Sequence, residues 1–108
     1  MKKLVLALVL TGIAAVPVQA NYALRGKVSC KDVLREHEHR HYSQYNMWWL
    51  LGYITARNFA TATEGGNGMV GKDVKNEAIY DTAYQYCKAN PEKDWNDAAQ
   101  HTYDSLKN

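Results

Sequence analysis

The sequence is short of the residues that would break a helix or staple a chain many times over. It has two prolines, two cysteines and one phenylalanine in 108 residues. Between Gln44 and Ala62 there is no proline and only one glycine, so nothing there interrupts a helix of about five turns. No stretch alternates apolar and polar residues as a half-buried strand would, and no repeat or low-complexity tract occurs. After residue 20 no apolar run is long enough to cross a bilayer.

A basic excess is also missing. The formal charge of +2 includes Lys2 and Lys3, and beyond residue 20 eleven basic residues face eleven acidic ones. That balance argues against nucleic acid, whose phosphates require a basic face. Acid would change it: with every carboxyl neutral, eleven basic residues and four histidines give +15. Repulsion on that scale loosens compact states.

What is present begins with an address. Met1-Lys2-Lys3 is a basic opening, Leu4 to Val16 carries no charge, and Val18-Gln19-Ala20 suits a signal peptidase. We therefore expect residues 1–20 to be a signal peptide cleaved after Ala20, and the mature protein to be periplasmic. Residues 21–28 read as a flexible N-terminus and 29–108 as one helical domain. In an oxidising compartment Cys30 and Cys87 form an intramolecular disulfide. The competing assignment, a catalytic thiol, lacks a partnering histidine and carboxylate.

The fold class expected is all-α, with four helices and the disulfide tying the first to the third. Ser29, with Asp32 three residues on, caps a short helix to about Arg35, and a charged connection follows from Arg35 to His41. Ser43 caps a central helix to Ala62. There Trp48, Leu51, Gly52, Thr55 and Phe59 recur at spacings of three and four, which reads as the buried stripe, widened by Tyr45, Trp49, Ala56 and Ala60. Four glycines between Glu64 and Gly71 make a flexible loop. Asp73 caps a third helix from Val74 to Ala89, which ends at Asn90-Pro91. Asp94 with Asp97 caps a last helix built on Trp95, Ala98, Ala99, Thr102, Tyr103 and Leu106.

Three segments suggest chemistry. Gly66 to Lys72 has the glycine and lysine spacing of a phosphate loop, but Asp73 stands where a magnesium-binding hydroxyl belongs, so it reads as a linker. His37, His39 and His41 are alternate residues that would converge on zinc or copper if the backbone were extended. Arg40 in their midst opposes a cation, so a solvated, pH-responsive connection is expected and no metal or other cofactor. Met47-Trp48-Trp49-Leu50-Leu51 is too bulky for one helix face, because a helix turns about 100° per residue. We expect Trp49 or Leu50 to face a partner or surface. No carboxylate pair, Ser/His/Asp set or nucleophile motif appears, so no enzyme is expected.

The cysteine at the start of a short helix, Trp48-Trp49-Leu50-Leu51, and Tyr86-Cys87-Lys88-Ala89-Asn90-Pro91-Glu92-Lys93 together resemble the HdeA/HdeB family of periplasmic acid-stress chaperones, nearest its HdeB branch. The resemblance spans Ser29 to Leu106. It implies a periplasmic all-α domain with the same disulfide, a homodimer near neutral pH, and an ATP-independent chaperone that exposes apolar surface in acid. Its partners would be acid-denatured periplasmic proteins, with Trp48, Trp49, Leu50 and Tyr53 as client or dimer contacts. The segment Leu51 to Asn58 with its glycine loop departs from that pattern and is similar to a broad set of exported proteins. Tai-like periplasmic immunity proteins, which bind cell-wall-degrading toxins, resemble it more faintly and carry extra cysteines. A non-enzymatic envelope accessory protein is the third alternative.

Overall fold

The computed structural model describes residues 27–107, and the expected signal peptide and residues 21–26 of the segment expected to be a flexible N-terminus lie outside them. Four helices follow one another: α1 (Cys30–Glu36), α2 (Arg40–Thr63), α3 (Asn76–Ala89) and α4 (Trp95–Lys107). Among the described residues there is no strand, only an isolated antiparallel bridge between Ser29 and Asp94. The small all-α fold stands as expected.

Local chemistry explains most boundaries. Ser29 Oγ accepts the Asp32 N–H at 3.1 Å, satisfying one of the orphan donors at the start of α1. At α4 the capping is reciprocal: Asp94 Oδ1 accepts from the Asp97 N–H at 2.9 Å, and Asp97 Oδ2 accepts from the Asp94 N–H at 3.1 Å. The end of α2 is a Schellman turn, in which Gly65 takes φ +84° while its N–H bonds Ala62 O and the Gly66 N–H bonds Thr61 O.

Two expected caps are corrected. The central helix begins at Arg40, three residues before Ser43, with the extended backbone of His39 as its N-cap. Nothing between Glu36 and Ser43 is a helix breaker, and the Ser43 hydroxyl simply donates back to Arg40 O within the helix. The third helix starts at Asn76 after Lys75, not at Asp73. Turns closed by Lys72 N–H to Met69 O and Val74 N–H to Gly71 O use up that stretch first.

The glycine segment is a packed part of the domain. Val70 is buried, and Asn58 on α2 holds it from both sides, donating from Nδ2 to Val70 O at 3.0 Å and accepting the Val70 N–H at 3.1 Å. Gly68 allows that approach, since a Cβ there would sit 2.7 Å from Ala62 Cβ and 2.9 Å from Asn58 O. The segment is preceded by a helix rather than a strand, unlike a phosphate loop.

The core gathers where α1, α3 and α4 meet. Cys30 and Cys87 are bonded and fully buried, with Val33, Ile79, Ala83, Trp95, Ala98, Ala99 and Tyr103 around them. Val28 packs against this core and its carbonyl accepts the Trp95 N–H at 2.9 Å, so order begins earlier than the expected Ser29. From α2 come Asn46, Leu50 and Ile54. The buried Trp95 indole donates to Asn46 O at 3.0 Å, and Asn46 Nδ2 donates to Glu36 Oε1 at 3.1 Å. Every buried side-chain polar atom among the described residues has a partner.

The cross-link closes a separation of 57 residues, which is worth about 4 kcal/mol in the chain-entropy account. Reduction, or Cys30→Ser with Cys87→Ser, is therefore expected to lower the urea midpoint by a large part of the stability of so small a domain. An unchanged midpoint would remove this role. Gly68→Ala is expected to cost about 1–3 kcal/mol by forcing the segment off Asn58 and leaving the Val70 backbone unpaired, read in the same titration.

Candidate functional site

The candidate surface lies on α2, which has two apolar faces. One points inward through Asn46, Leu50 and Ile54. Of the stripe that spacing alone assigns to the core, Leu51 is half-buried and packs against the core, whereas Trp48, Gly52, Thr55 and Phe59 form the other face and point to solvent. Trp48 is 57% exposed and Phe59 73% exposed. The inward face was missed because it opens with an asparagine, which counts as polar until its partners Glu36 and Trp95 are seen.

Exposed rings run up the first half of this face. His39 meets Tyr42 edge-on at 6.2 Å, Tyr42 meets Tyr45 at 6.5 Å, and Tyr45 meets Trp48 at 6.1 Å between centroids. These T-shaped contacts favour one ring arrangement before any partner arrives. After Arg40, the only Lys, Arg, Asp or Glu on α2 is Arg57, and it turns away from this face. Its guanidinium lies over the Tyr103 ring at 4.4 Å and donates to the Tyr53 hydroxyl at 2.8 Å.

The four expected contact residues thus separate. Trp48 is free at the surface. Trp49 is half-buried and stacked on Tyr53 at 5.6 Å, and Tyr53 is held by Arg57. Leu50 is fully buried, a correction to the expectation that it faces a partner, because it shares the inward face with Asn46 and Ile54. Phe59, further along the outward face of α2, and Met69, in the glycine segment, are exposed as well and were not expected at the site. The seven-residue spacing of Tyr45, Gly52 and Phe59 is the sequence signal that could have placed Phe59 on the outward face.

The three alternate histidines do not converge. His37 ends α1 in helical geometry, His39 is extended, and His41 is already within α2, so the alternation of a strand is never realised. No group of three His, Cys, Asp or Glu among the described residues is placed to hold a metal ion. His37 lies on Tyr84 at 4.1 Å between centroids, with Nδ1 3.0 Å from the Tyr80 hydroxyl. Burial first, then the neighbouring Tyr84 and Glu36, push Tyr80 up to about 12.

Two clefts flank the helices. One of about 440 Å³ runs between α2 and the glycine segment, walled by Leu51, Ile54, Val70 and Ile79, with exposed Met69 and Val74 at its rim. The other, about 450 Å³, lies between α3 and α4 and is lined by Asp81, Gln85, Tyr86, Asn90 and His101. Neither brings together a nucleophile, base and oxyanion donor. No helix among the described residues is long and apolar enough to cross a membrane. Comparison with family models, curated proteins and solved structures finds no match to this chain.

Tyr80 gives a pH prediction with a definite sign. Its raised folded-state value means the native protein keeps a proton that the unfolded chain loses, so the associated stability is present below about pH 10 and lost as pH rises towards 12. Ultraviolet titration of the tyrosinates should show one group ionising last, and Tyr80→Phe should remove it. Partial exposure screens the effect, so the stability change is on the order of 1 kcal/mol.

Proposed function

We propose that this protein is a periplasmic, ATP-independent chaperone of the acid-stress type, which uses the outward face of α2 to cover apolar segments of other proteins and carries no enzymatic activity. The observation that carries the reading is an exposed, uncharged run of Tyr45, Trp48 and Phe59 on a helix anchored by its opposite face. Aromatic rings suit unspecific clients, because they offer contact area at little entropic cost and accept many geometries.

Acid supports the role in two ways. The chain becomes strongly positive, which keeps a complex with an unfolded client in solution. Self-repulsion at that charge also loosens the packing between the helices. The disulfide does not titrate, so α1 and α3 stay joined while α2 gains freedom.

The test mixes the purified protein with an acid-labile client at pH 2 to 3 and follows light scattering. Near-stoichiometric protein should suppress aggregation. Trp48→Ser with Phe59→Ser should lose most of that protection while the neutral-pH melting temperature stays nearly unchanged, since both side chains are exposed. Full aggregation with the unsubstituted protein would reject the chaperone. Tight one-to-one capture of a single toxin at neutral pH would instead favour the immunity reading.

A further inference from the structure

Formal charge is spread unevenly over the helices. Helix α2 holds two arginines and no carboxylate in its 24 residues. The stretches from Asn76 to Cys87 on α3 and from Trp95 to Leu106 on α4 are the reverse: they hold Glu77, Asp81, Asp97 and Asp104 and no lysine or arginine. Lys88 and Lys107 come only in the last turn of each helix. Glu77, Asp81 and Gln85 recur at spacings of four along α3, and Asp97, His101 and Asp104 at spacings of four and three along α4, so each set lies on one side of its helix. The cleft of about 450 Å³ between these helices is lined from both sets, by Asp81 and Gln85 on one wall and His101 on the other.

The polar groups of the cleft are left as acceptors. Gln85 Nε2 donates to Asp81 Oδ1 at 3.3 Å, Asn90 Nδ2 donates to Tyr86 O at 2.9 Å, and the Thr82 hydroxyl donates to Ala78 O at 3.1 Å. Each of these side chains thus spends a donor on its own helix. The amide oxygens of Gln85 and Asn90, and Asp81 Oδ2, have no partner among the described residues. Asp81 is the one lining residue with a formal charge when histidine is neutral, and no lysine or arginine among the described residues pairs with it. Beside these acceptors Tyr86 supplies an aromatic wall, its ring lying on the His101 ring at 4.8 Å between centroids.

From this arrangement we infer that the cleft between α3 and α4 binds an alkylammonium group, carried by a free di- or polyamine or by a lysine side chain. Asp81 meets the charge. The two amide oxygens serve the remaining hydrogens of an ammonium, which has three donors and no acceptor. Tyr86 covers the methylene stem and attracts the cation through its ring face. Glu77, Asp97 and Asp104 stand outside the lining and add a negative field that gathers cations at low salt, with Asp104 also paired to Lys107 at 3.2 Å.

The same inventory rules out other ligand classes. An anion finds no cation in the lining, and a purely apolar ligand leaves Asp81 without a role. A metal ion requires more ligands than one carboxylate and one imidazole, and no group of three is placed to hold one among the described residues. Acid takes the charge from Asp81 and adds one to His101, so binding belongs to neutral pH. It is separate from the acid activity proposed above, which uses the outward face of α2.

Calorimetric titration of the purified protein with cadaverine at neutral pH and low salt should show saturable binding that weakens as salt is added. Pentanol and pentanoate should show none. Asp81→Asn should weaken cadaverine at least about tenfold, and Gln85→Lys, which places a resident ammonium beside Asp81, should abolish binding. Both positions are exposed, so the melting temperature should hold in each variant. In proton NMR the His101 ring signals should move as cadaverine is added. A peptide with a single lysine, blocked at both ends, is the second amine probe: tighter binding than cadaverine assigns the cleft to a protein lysine, weaker binding to a free amine. Absence of saturable binding by both amines overturns the inference. So does cadaverine binding that survives both substitutions undiminished, which places the amine elsewhere, or pentanol binding as strongly as cadaverine.

Discussion

The covalent and hydrogen-bonded clamp at Cys30 is the constraint on which the other contacts depend. Helix α1 has seven residues, far too few to be stable alone, because nucleation costs more than so few hydrogen bonds return. It is held at its first turn three times over. The disulfide joins it to the last turn of α3, the Cys30 N–H bonds Lys93 O at 2.8 Å, and Val28 O takes the Trp95 N–H. These links converge beside the buried Trp95 ring, whose indole reaches across to α2. One corner thus fixes the starts of α1 and α4, the end of α3, and the depth at which Asn46 sits.

That corner determines what α2 must do. With α1, α3 and α4 already enclosing most of the core, only a narrow inward strip of α2 is needed: Asn46, Leu50, Ile54, and below them Asn58 gripping Val70. A domain this small has too little interior to cover both sides of a 24-residue helix. The far side is left over, and whether its residues are charged or apolar is then a matter of function rather than of folding. Here they are apolar.

How much of this could be read from the residues depended on how local the cause was. Ser29 and the Asp94/Asp97 pair cap helices through bonds spanning three residues, so their positions were legible. The Cys30–Cys87 bridge was legible because two cysteines permit one pairing. The facing of α2 was not. Its outward stripe has the cleaner apolar period, and the inward one is disguised by Asn46, whose burial rests on Glu36 ten residues away and Trp95 forty-nine away. Asp73 failed as a cap, and the glycines failed as a free loop, for a similar reason: Asn58, twelve residues earlier, fixes Val70 and with it the turns that follow. Long-range polar pairing, invisible to periodicity, accounts for these misses, whereas the Ser43 cap failed locally, because nothing before it stops the helix from starting at Arg40.

The polar edges of the outward stripe explain how its rings can stand exposed to water. Tyr42, Tyr45 and Trp48 each carry an apolar ring and one hydrogen-bonding group, so water wets them at modest cost. Phe59 has no such group and is the most exposed of the set. It is therefore the residue with most to gain from cover, and the bare Gly52 lies two turns before it on the same line. If the stripe were only a by-product of a thin domain, polar residues at 52 and 59 would serve solubility better and would disturb nothing inside, because neither touches the core. The fold does not call for a glycine and a phenylalanine at these positions, and the proposed contact with apolar client segments gives them a use.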